Sequence, residues 1–395
     1  TPLYSSAASD VYKRQLLNIK SKSTLSFTFL FSAAFLSAFL DAITVTAVLI
    51  SVAIGFYRIF HTVKSNKAFT DTGHDFHSDN DLSTEAKVEL EDFKGFIRDL
   101  IMHGAVGTAL GGVCTIVGEP QNLLIAGVVG WDFIEFVIAM APVTMPVLVA
   151  GIITCFVIER FKLAGFGHQL PDSIRQIFID YDLYESSQQT ETQKAELYIE
   201  FIVLLFLIAA LALHLAAVGI IGLAVIILLT SFKGITDEHD LGPAFKEALP
   251  FTALLAVFFA IVSVIHDQHL FSPIIYYVLQ QDPAIQPSVF FMANGILSAI
   301  SDNVFVATIY INEINQVYLA GDIGRDQFEA LAVAVNTGTN IPSIATPNGQ
   351  AAFLFLLTSS LAPLINLSYM KMVKMALPYT IVLTIVGLYS ITYIL

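Results

Sequence analysis

Leu36-Ser37-Ala38-Phe39-Leu40-Asp41 and Leu297-Ser298-Ala299-Ile300-Ser301-Asp302 each set an aspartate at the end of an apolar run, once in each half of the chain. A long apolar segment broken at its middle follows each run. The first break reads Thr115-Ile116-Val117-Gly118-Glu119-Pro120-Gln121-Asn122, the second Asn340-Ile341-Pro342-Ser343-Ile344-Ala345-Thr346-Pro347-Asn348-Gly349. Neither a bare carboxylate nor unpaired backbone is stable against lipid tails, so both persist in a membrane only inside protein or beside a hydrated cavity. Two copies of so costly a feature point to a transporter.

Composition places the chain in a bilayer. Hydrophobic residues make up 55% and charged residues 13% of the 395 residues, and mean hydropathy is +0.72, whereas soluble domains carry about a quarter of their residues charged. The length leaves room for about ten membrane segments of about 20 residues with their loops. A formal net charge of -14 sits in the loops of such a protein, so it identifies no partner, and no nucleic acid is expected. Cys114 and Cys155 fall in apolar segments without metal-ligand spacing and read as small buried hydrophobes. Residues 1–15 are polar, lack a signal-peptide core and read as a cloning or assembly scar.

Apolar windows lie near residues 25–57, 100–128, 132–158, 197–232, 249–266, 286–312, 328–358 and 375–395. The window 197–232 is long enough for two helices turning near His214 to Gly219. Within the polar loops 61–99 and 160–196, the Glu85 to Leu100 stretch spaces Val88, Phe93, Phe96, Ile97 and Leu100 as one face of an interfacial helix leading into the membrane. Residues 66–84 read as a solvated linker. If the Asp41 and Asp302 runs are hairpins that return to the side they entered, while every other window crosses, the basic residues sort to one side. Lys20, Lys22, the cluster from Arg58 to Arg98, the cluster from Arg160 to Lys194, Lys233, Lys246, Lys371 and Lys374 then face the cytoplasm, and the outer loops keep only Arg325. The two hairpins enter from opposite sides, so the halves are inverted, an architecture common among secondary transporters.

The expected fold is therefore an all-α polytopic membrane protein built from inverted repeats with re-entrant hairpins and interrupted transmembrane helices. Its divisions are a non-family or cloning-scar segment with lead-in over 1–23, a first repeat over 24–196, connecting and scaffold helices over 197–285 and a second repeat over 286–395.

A carboxyl group in a low-dielectric site holds a proton more tightly than one in water, and the same group can ligate a metal cation. Sodium needs several oxygens, which helix interruptions supply as carbonyls and Thr, Ser and Asn supply from side chains. Asp41 has Thr44 and Thr46 nearby, Asp302 has Ser301 and Asn303, and Thr115, Asn122, Thr337, Thr339, Asn340, Thr346 and Asn348 lie in or near the breaks. Either aspartate could instead simply cap a helix. Glu119 reads equally as a second proton carrier or a structural partner, while His103 and His214 read as interhelical hydrogen-bonding residues. Pro142, Pro146 and Pro378 are expected to kink their helices.

The stretches FLSAFLDAITVTAV (35–48), VGEPQNLLIAG (117–127), SAISDNVFVATIYINE (298–313) and NTGTNIPSIATPNGQAAFLFLLTS (336–359) strongly resemble the NhaB family of bacterial sodium/proton antiporters, within the wider ion transporter superfamily. The resemblance runs from about Thr24 to Leu395 and implies further membrane helices ahead of this chain. It implies exchange of cytoplasmic sodium for external protons across the bacterial inner membrane, by an elevator-type transport domain within a homodimer. It further implies an ion site at the hairpin tips and helix breaks: Asp41, Thr44, Gly118, Glu119, Pro120 and Asn122, then Asp302, Asn303, Thr339, Asn340, Pro347 and Asn348. Asp41 and Asp302 would bind Na+, with Li+ as a second substrate, and no cofactor is implied. Related dicarboxylate carriers have neutral Ser-Asn-Thr tips; the carboxylates here suit ions that compete with protons.

Two other functions fit the pattern less well. A carboxylate or arsenite carrier of the same superfamily conflicts with the acidic tips and the single basic residue of the outer loops. An intramembrane aspartyl protease would need Tyr-Asp and Gly-Leu-Gly-Asp contexts in membrane helices, and the one Tyr-Asp, Tyr181-Asp182, lies in a polar loop. A channel is disfavoured because paired broken helices suit alternating access.

Overall fold

Both aspartates stand immediately before a helix, where a chain reversal divides an apolar run in two. In the computed structural model, which describes residues 5–68, 75–188, 190–235 and 272–395 with scattered positions between 237 and 268, every regular element is helical and no strand occurs among the described residues. The order is α1 (Ser5–Asn18), α2 (Lys22–Ser37), α3 (Ala42–Lys64), α4 (Thr84–Gly112), α5 (Pro120–Val129), α6 (Phe133–Phe161), α7 (Asp172–Gln188), α8 (Glu191–Ala212), α9 (Val218–Lys233), α10 (Ser272–Leu279), α11 (Gln286–Ile300), α12 (Asn303–Leu319), α13 (Arg325–Asn340), α14 (Ala351–Thr358), α15 (Leu361–Leu364) and α16 (Tyr369–Tyr393). Short 3-10 turns over Pro342–Ala345 and Pro347–Gly349 fill the gap between α13 and α14. The apolar window at 249–266 falls almost wholly outside the described residues, as do residues 69–74 of the polar linker.

Among the described residues, four helices, α3, α6, α8 and α16, are long and apolar enough to cross a membrane. With the shorter apolar helices α5 and α9, this is an all-α, multi-pass membrane protein. The window 197–232 divides between Ala212 and Val218, at the expected turn. Pro142 and Pro146 lie inside a continuous α6, and Pro378 inside α16. The Glu85 to Leu100 stretch is the first part of the single 29-residue helix α4. Phe93, Phe96, Ile97 and Leu100 are buried there, while Val88 points outward. Residues before Lys22 also join the packing, since Tyr12 and Leu16 of α1 are buried and α1 lies on α3.

Close approach of backbones holds the core together. Helix α4 packs on α2, and α13 packs on α11, as the two most extensive helix contacts among the described residues. Gly104, Gly107 and Gly111 recur at helical spacing on the side of α4 turned toward α2 and α3, so the backbones come nearer than a side chain would permit. A Cβ at Gly107 would overlap the carbonyl of Leu30, and one at Gly111 the carbonyl of Ala34. In the other half a Cβ at Gly338 would lie 2.6 Å from the carbonyl of Phe291. Gly111→Ala is therefore expected to destabilise the folded protein by about 1–3 kcal/mol, since α2 must shift to make room. Gly127→Ala, where the new methyl meets nothing within 4 Å, is the matched control and is expected to leave the detergent melting temperature unchanged. Equal melting of the two variants would contradict this packing.

Candidate cation site at two helix breaks

Each aspartate caps the helix it precedes. Asp41 Oδ2 accepts from Thr44 N at 3.2 Å and from Thr44 Oγ1 at 3.5 Å; Asp302 Oδ1 accepts from Val304 N at 2.9 Å and Phe305 N at 3.1 Å. A carboxylate suits this position because the first turn of a helix leaves its N–H groups without intrahelical acceptors and carries the positive end of the dipole. Capping engages only one oxygen of Asp41, and its Oδ1 is buried with no hydrogen-bond partner. Ala42 N donates to Gly118 O at 3.3 Å, which ties the first reversal to the first break.

The two breaks are closed in the same way. A threonine hydroxyl in each reaches back to the preceding reversal: Thr115 Oγ1 donates to Ala38 O, and Thr346 Oγ1 to Ala299 O. A carboxamide then spans each break. Asn122 Nδ2 donates to Gly112 O at 2.7 Å and Thr115 O at 2.6 Å; Gln350 Nε2 donates to Asn340 O at 2.7 Å and Ser343 Oγ at 2.9 Å. Both amides thereby pair with main-chain carbonyls at the interruptions, Gly112 O, Thr115 O and Asn340 O, a requirement that burial makes strict.

The breaks also touch each other. Gln121 Nε2 donates to Asn340 Oδ1 at 2.7 Å, and Asn340 Nδ2 lies 3.5 Å from Asn122 Oδ1. Glu119, at 2% exposure, precedes Pro120 at the start of α5 without capping it, and its Oε1 has no partner. Carboxyl groups thus stand at the first break and at the helix starts ahead of both breaks, and groups of that charge attract cations and repel anions.

Other residues named from the sequence take more varied places. Asn303 is buried, with Nδ2 unpartnered, and Thr44 lies in the first turn of α3 beside Asp41. Gly118 fits the first break because a Cβ there would overlap the backbone of Gly112, and Pro120 and Pro347 begin the elements that follow each interruption. Thr339 directs its hydroxyl to Val335 O and Asn336 O of its own helix. Asn348 is exposed and stands apart from the buried polar group. Gln121 and Gln350 were not singled out from the sequence. A detectable signal existed for Gln350: it lies as far beyond Asn340 as Asn122 lies beyond Gly112, ten residues in both cases.

A second buried polar cluster lies away from the breaks. Glu159 Oε1 accepts from Ser26 Oγ at 2.7 Å, lies 2.8 Å from His103 Nε2 and pairs with Lys22 Nζ at 3.0 Å. The other ring nitrogen of His103 meets Tyr379 Oη at 2.7 Å. Asp99 stands 3.7 Å from Lys22 Nζ and accepts from the backbone N–H of Gly167 and His168. His103 is thus an interhelical hydrogen-bonding residue, as its sequence context suggests. His214, by contrast, is exposed in the turn between α8 and α9. Lys22, placed from the sequence on the cytoplasmic side, is buried among two carboxylates. Cys114 and Cys155 are buried and free.

A family model described as bacterial Na+/H+ antiporter B (NhaB) matches residues 9–395, beginning inside the segment set aside as 1–23. Among curated proteins, the chain is 59% identical over 381 residues to the Na(+)/H(+) antiporter NhaB of Saccharophagus degradans, covering 96% of this chain and 76% of that protein. It is 58% identical to the protein of the same name from Teredinibacter turnerae, over 95% of this chain and 75% of the relative. A third, from Shewanella halifaxensis, is 59% identical over 96% of this chain and 72% of its own length.

Proposed function

We propose, from the premise that this chain belongs to the NhaB family of bacterial Na+/H+ antiporters, that it exchanges Na+ for H+ by competition of the two ions for Asp41, Asp302 and Glu119. It is a transporter and not an enzyme. The observation that carries the mechanism is the meeting of the two breaks through Gln121, Asn340 and Asn122, with Glu119 buried at the first break and an aspartate capping a helix ahead of each break. Carboxylates bind either a proton or, with neighbouring carbonyl and amide oxygens, a cation. Asn122, Asn303 and Asn340 supply amide groups, and Thr44 and Thr339 hydroxyls; Asn348 would have to move to take part. No cofactor enters this scheme.

The architecture we infer is a pair of inverted repeats, 24–196 and 286–395, joined by connecting helices over 197–285. Reciprocal packing supports it: α5, beyond the first break, lies on α12, while α14, beyond the second, lies on α3. The re-entrant reading of α11 and α12 is supported by their lengths of 15 and 17 residues, short of the roughly 20 a crossing needs. Helix α3, at 23 residues, is long enough to cross, so the first reversal need not return to its starting side. Exposed apolar residues along α6, including Ile138, Val149 and Ile153, suit contact with lipid. Location in the bacterial inner membrane, uptake of external protons against cytoplasmic Na+, Li+ as an alternative substrate, and a homodimer with elevator-type movement complete the reading. These rest on the family's motifs.

Competition makes a quantitative prediction. In everted vesicles the half-saturating Na+ concentration is expected to rise up to about tenfold for each unit of pH lowered across the acidic range, because one proton excludes the cation. The maximal rate at saturating Na+ should stay nearly constant. A half-saturating concentration independent of pH would rule out competition.

A further inference from the structure

Gln121 and Gln350 are both fully buried and both anchored by Asn340. Gln121 donates through Nε2 to Asn340 Oδ1, and Gln350 donates through Nε2 to the main-chain carbonyl of the same residue. An amide group presents a donor end and an acceptor end of nearly equal size, so its orientation follows from its partners. Here the partners fix it. Asn340 Nδ2 donates to Asn336 O at 2.9 Å, which leaves Asn340 Oδ1 to face Gln121 and to require an N–H from it. The Asn340 carbonyl can only accept, so it requires the N–H of Gln350 in the same way. The carbonyl oxygens of both glutamines are left as the free ends, and each Oε1 is buried without a donor.

Asp41 Oδ1, at the reversal tied to the first break, and Glu119 Oε1, in that break, are also buried and without a donor. All four are oxygens that accept and do not donate, apart from a carboxyl group when protonated. Burying such acceptors unpaired is costly, and a hard monovalent cation relieves the cost for each oxygen that coordinates it. We propose that Gln121 and Gln350 are cation-binding residues of the antiporter, their side-chain carbonyl oxygens presented to the transported ion in an orientation locked by Asn340. The assignment rests on the cation site proposed above and adds two neutral ligands to its carboxylates. Neutral oxygens of fixed direction tune which cation fits, while the carboxylates supply the charge that a proton can replace.

The test measures Na+ and Li+ dependence of proton movement in everted vesicles, together with the thermal stabilisation that Na+ confers on purified protein in detergent. Gln121→Met and Gln350→Met preserve side-chain length and remove the oxygen. Each is expected to raise the half-saturating Na+ concentration by roughly tenfold, to change the ratio of Na+ to Li+ half-saturation, and to weaken Na+-dependent stabilisation to a similar degree. A merely structural role would lower the melting temperature without Na+ and leave the ion ratio untouched. If a methionine variant does not purify as a single species, Gln121→Asn or Gln350→Asn draws the oxygen back by about 1.5 Å and is expected to shift the ion ratio in the same direction. Wild-type half-saturation and ion ratio in these variants would overturn the glutamine assignment. If, at the same time, Asp41→Asn and Asp302→Asn are inactive, the carboxylate site stands and only the glutamine ligands fall. Normal exchange by the aspartate variants would instead remove the underlying site.

Discussion

Asp41→Asn and Asp302→Asn are each expected to reduce Na+-dependent proton movement in everted vesicles to background, with little change in the melting temperature of the purified protein. Asparagine is nearly as good a helix cap as aspartate. Its side-chain oxygen can accept from Thr44 N in the first case and from Val304 N and Phe305 N in the second, as the carboxylates do. What the substitution removes is the charge and the ability to gain and lose a proton. A group that cannot lose a proton cannot exchange one for a cation, so the effect should appear in the maximal rate. The capping role explains why an aspartate begins each helix, but it does not account for the buried, unpartnered second oxygen of Asp41. Full activity in both variants would reduce the two aspartates to caps.

Lys22→Met is expected to be the most destabilising single change outside the breaks, by about 3–5 kcal/mol. Lys22 is 7% exposed and lies between Glu159 and Asp99, which are 5% and 0% exposed. Removing the ammonium leaves two buried carboxylates with no cation but what His103 and His168 can provide. Charges cannot be solvated at that depth, and the cost of desolvation returns uncompensated. Because Lys22 opens α2, which leads directly to Asp41, the expected loss has two parts: a lower melting temperature and a weaker hold on the first reversal. The double substitution Lys22→Met with Glu159→Gln should recover part of the stability, since the amide can still accept from Ser26 Oγ without a charge to neutralise. A melting temperature unchanged by Lys22→Met would show that the lysine is solvated in the membrane protein. The cluster would then be open to water.

Much of the fold was legible in local chemistry. Long apolar windows became α3, α6, α8 and α16, and the small and polar residues from His214 to Gly219 gave the turn between α8 and α9. Glycine and proline in the two broken segments marked where α4 and α13 stop. The apolar spacing of Glu85 to Leu100 gave a helix, and that helix runs unbroken into the apolar segment that follows. The burial of Lys22 was not legible, because a partner such as Glu159, 137 positions away, leaves no local trace in the sequence.

The sequence by itself determined the membrane environment, the helical class, the two apolar runs that end in aspartate and the family of the exchanger, since each follows from residue type and near-neighbour order. Only the tertiary structure decided which polar ends face one another. Asn340 meets a glutamine 219 positions earlier in the chain, and the direction of each amide is set by the donor or acceptor that packing brings to it. Hydrophobic burial is non-directional and can be read from composition and period, whereas a hydrogen bond depends on distance and angle, and those are fixed only when all the helices have closed around it.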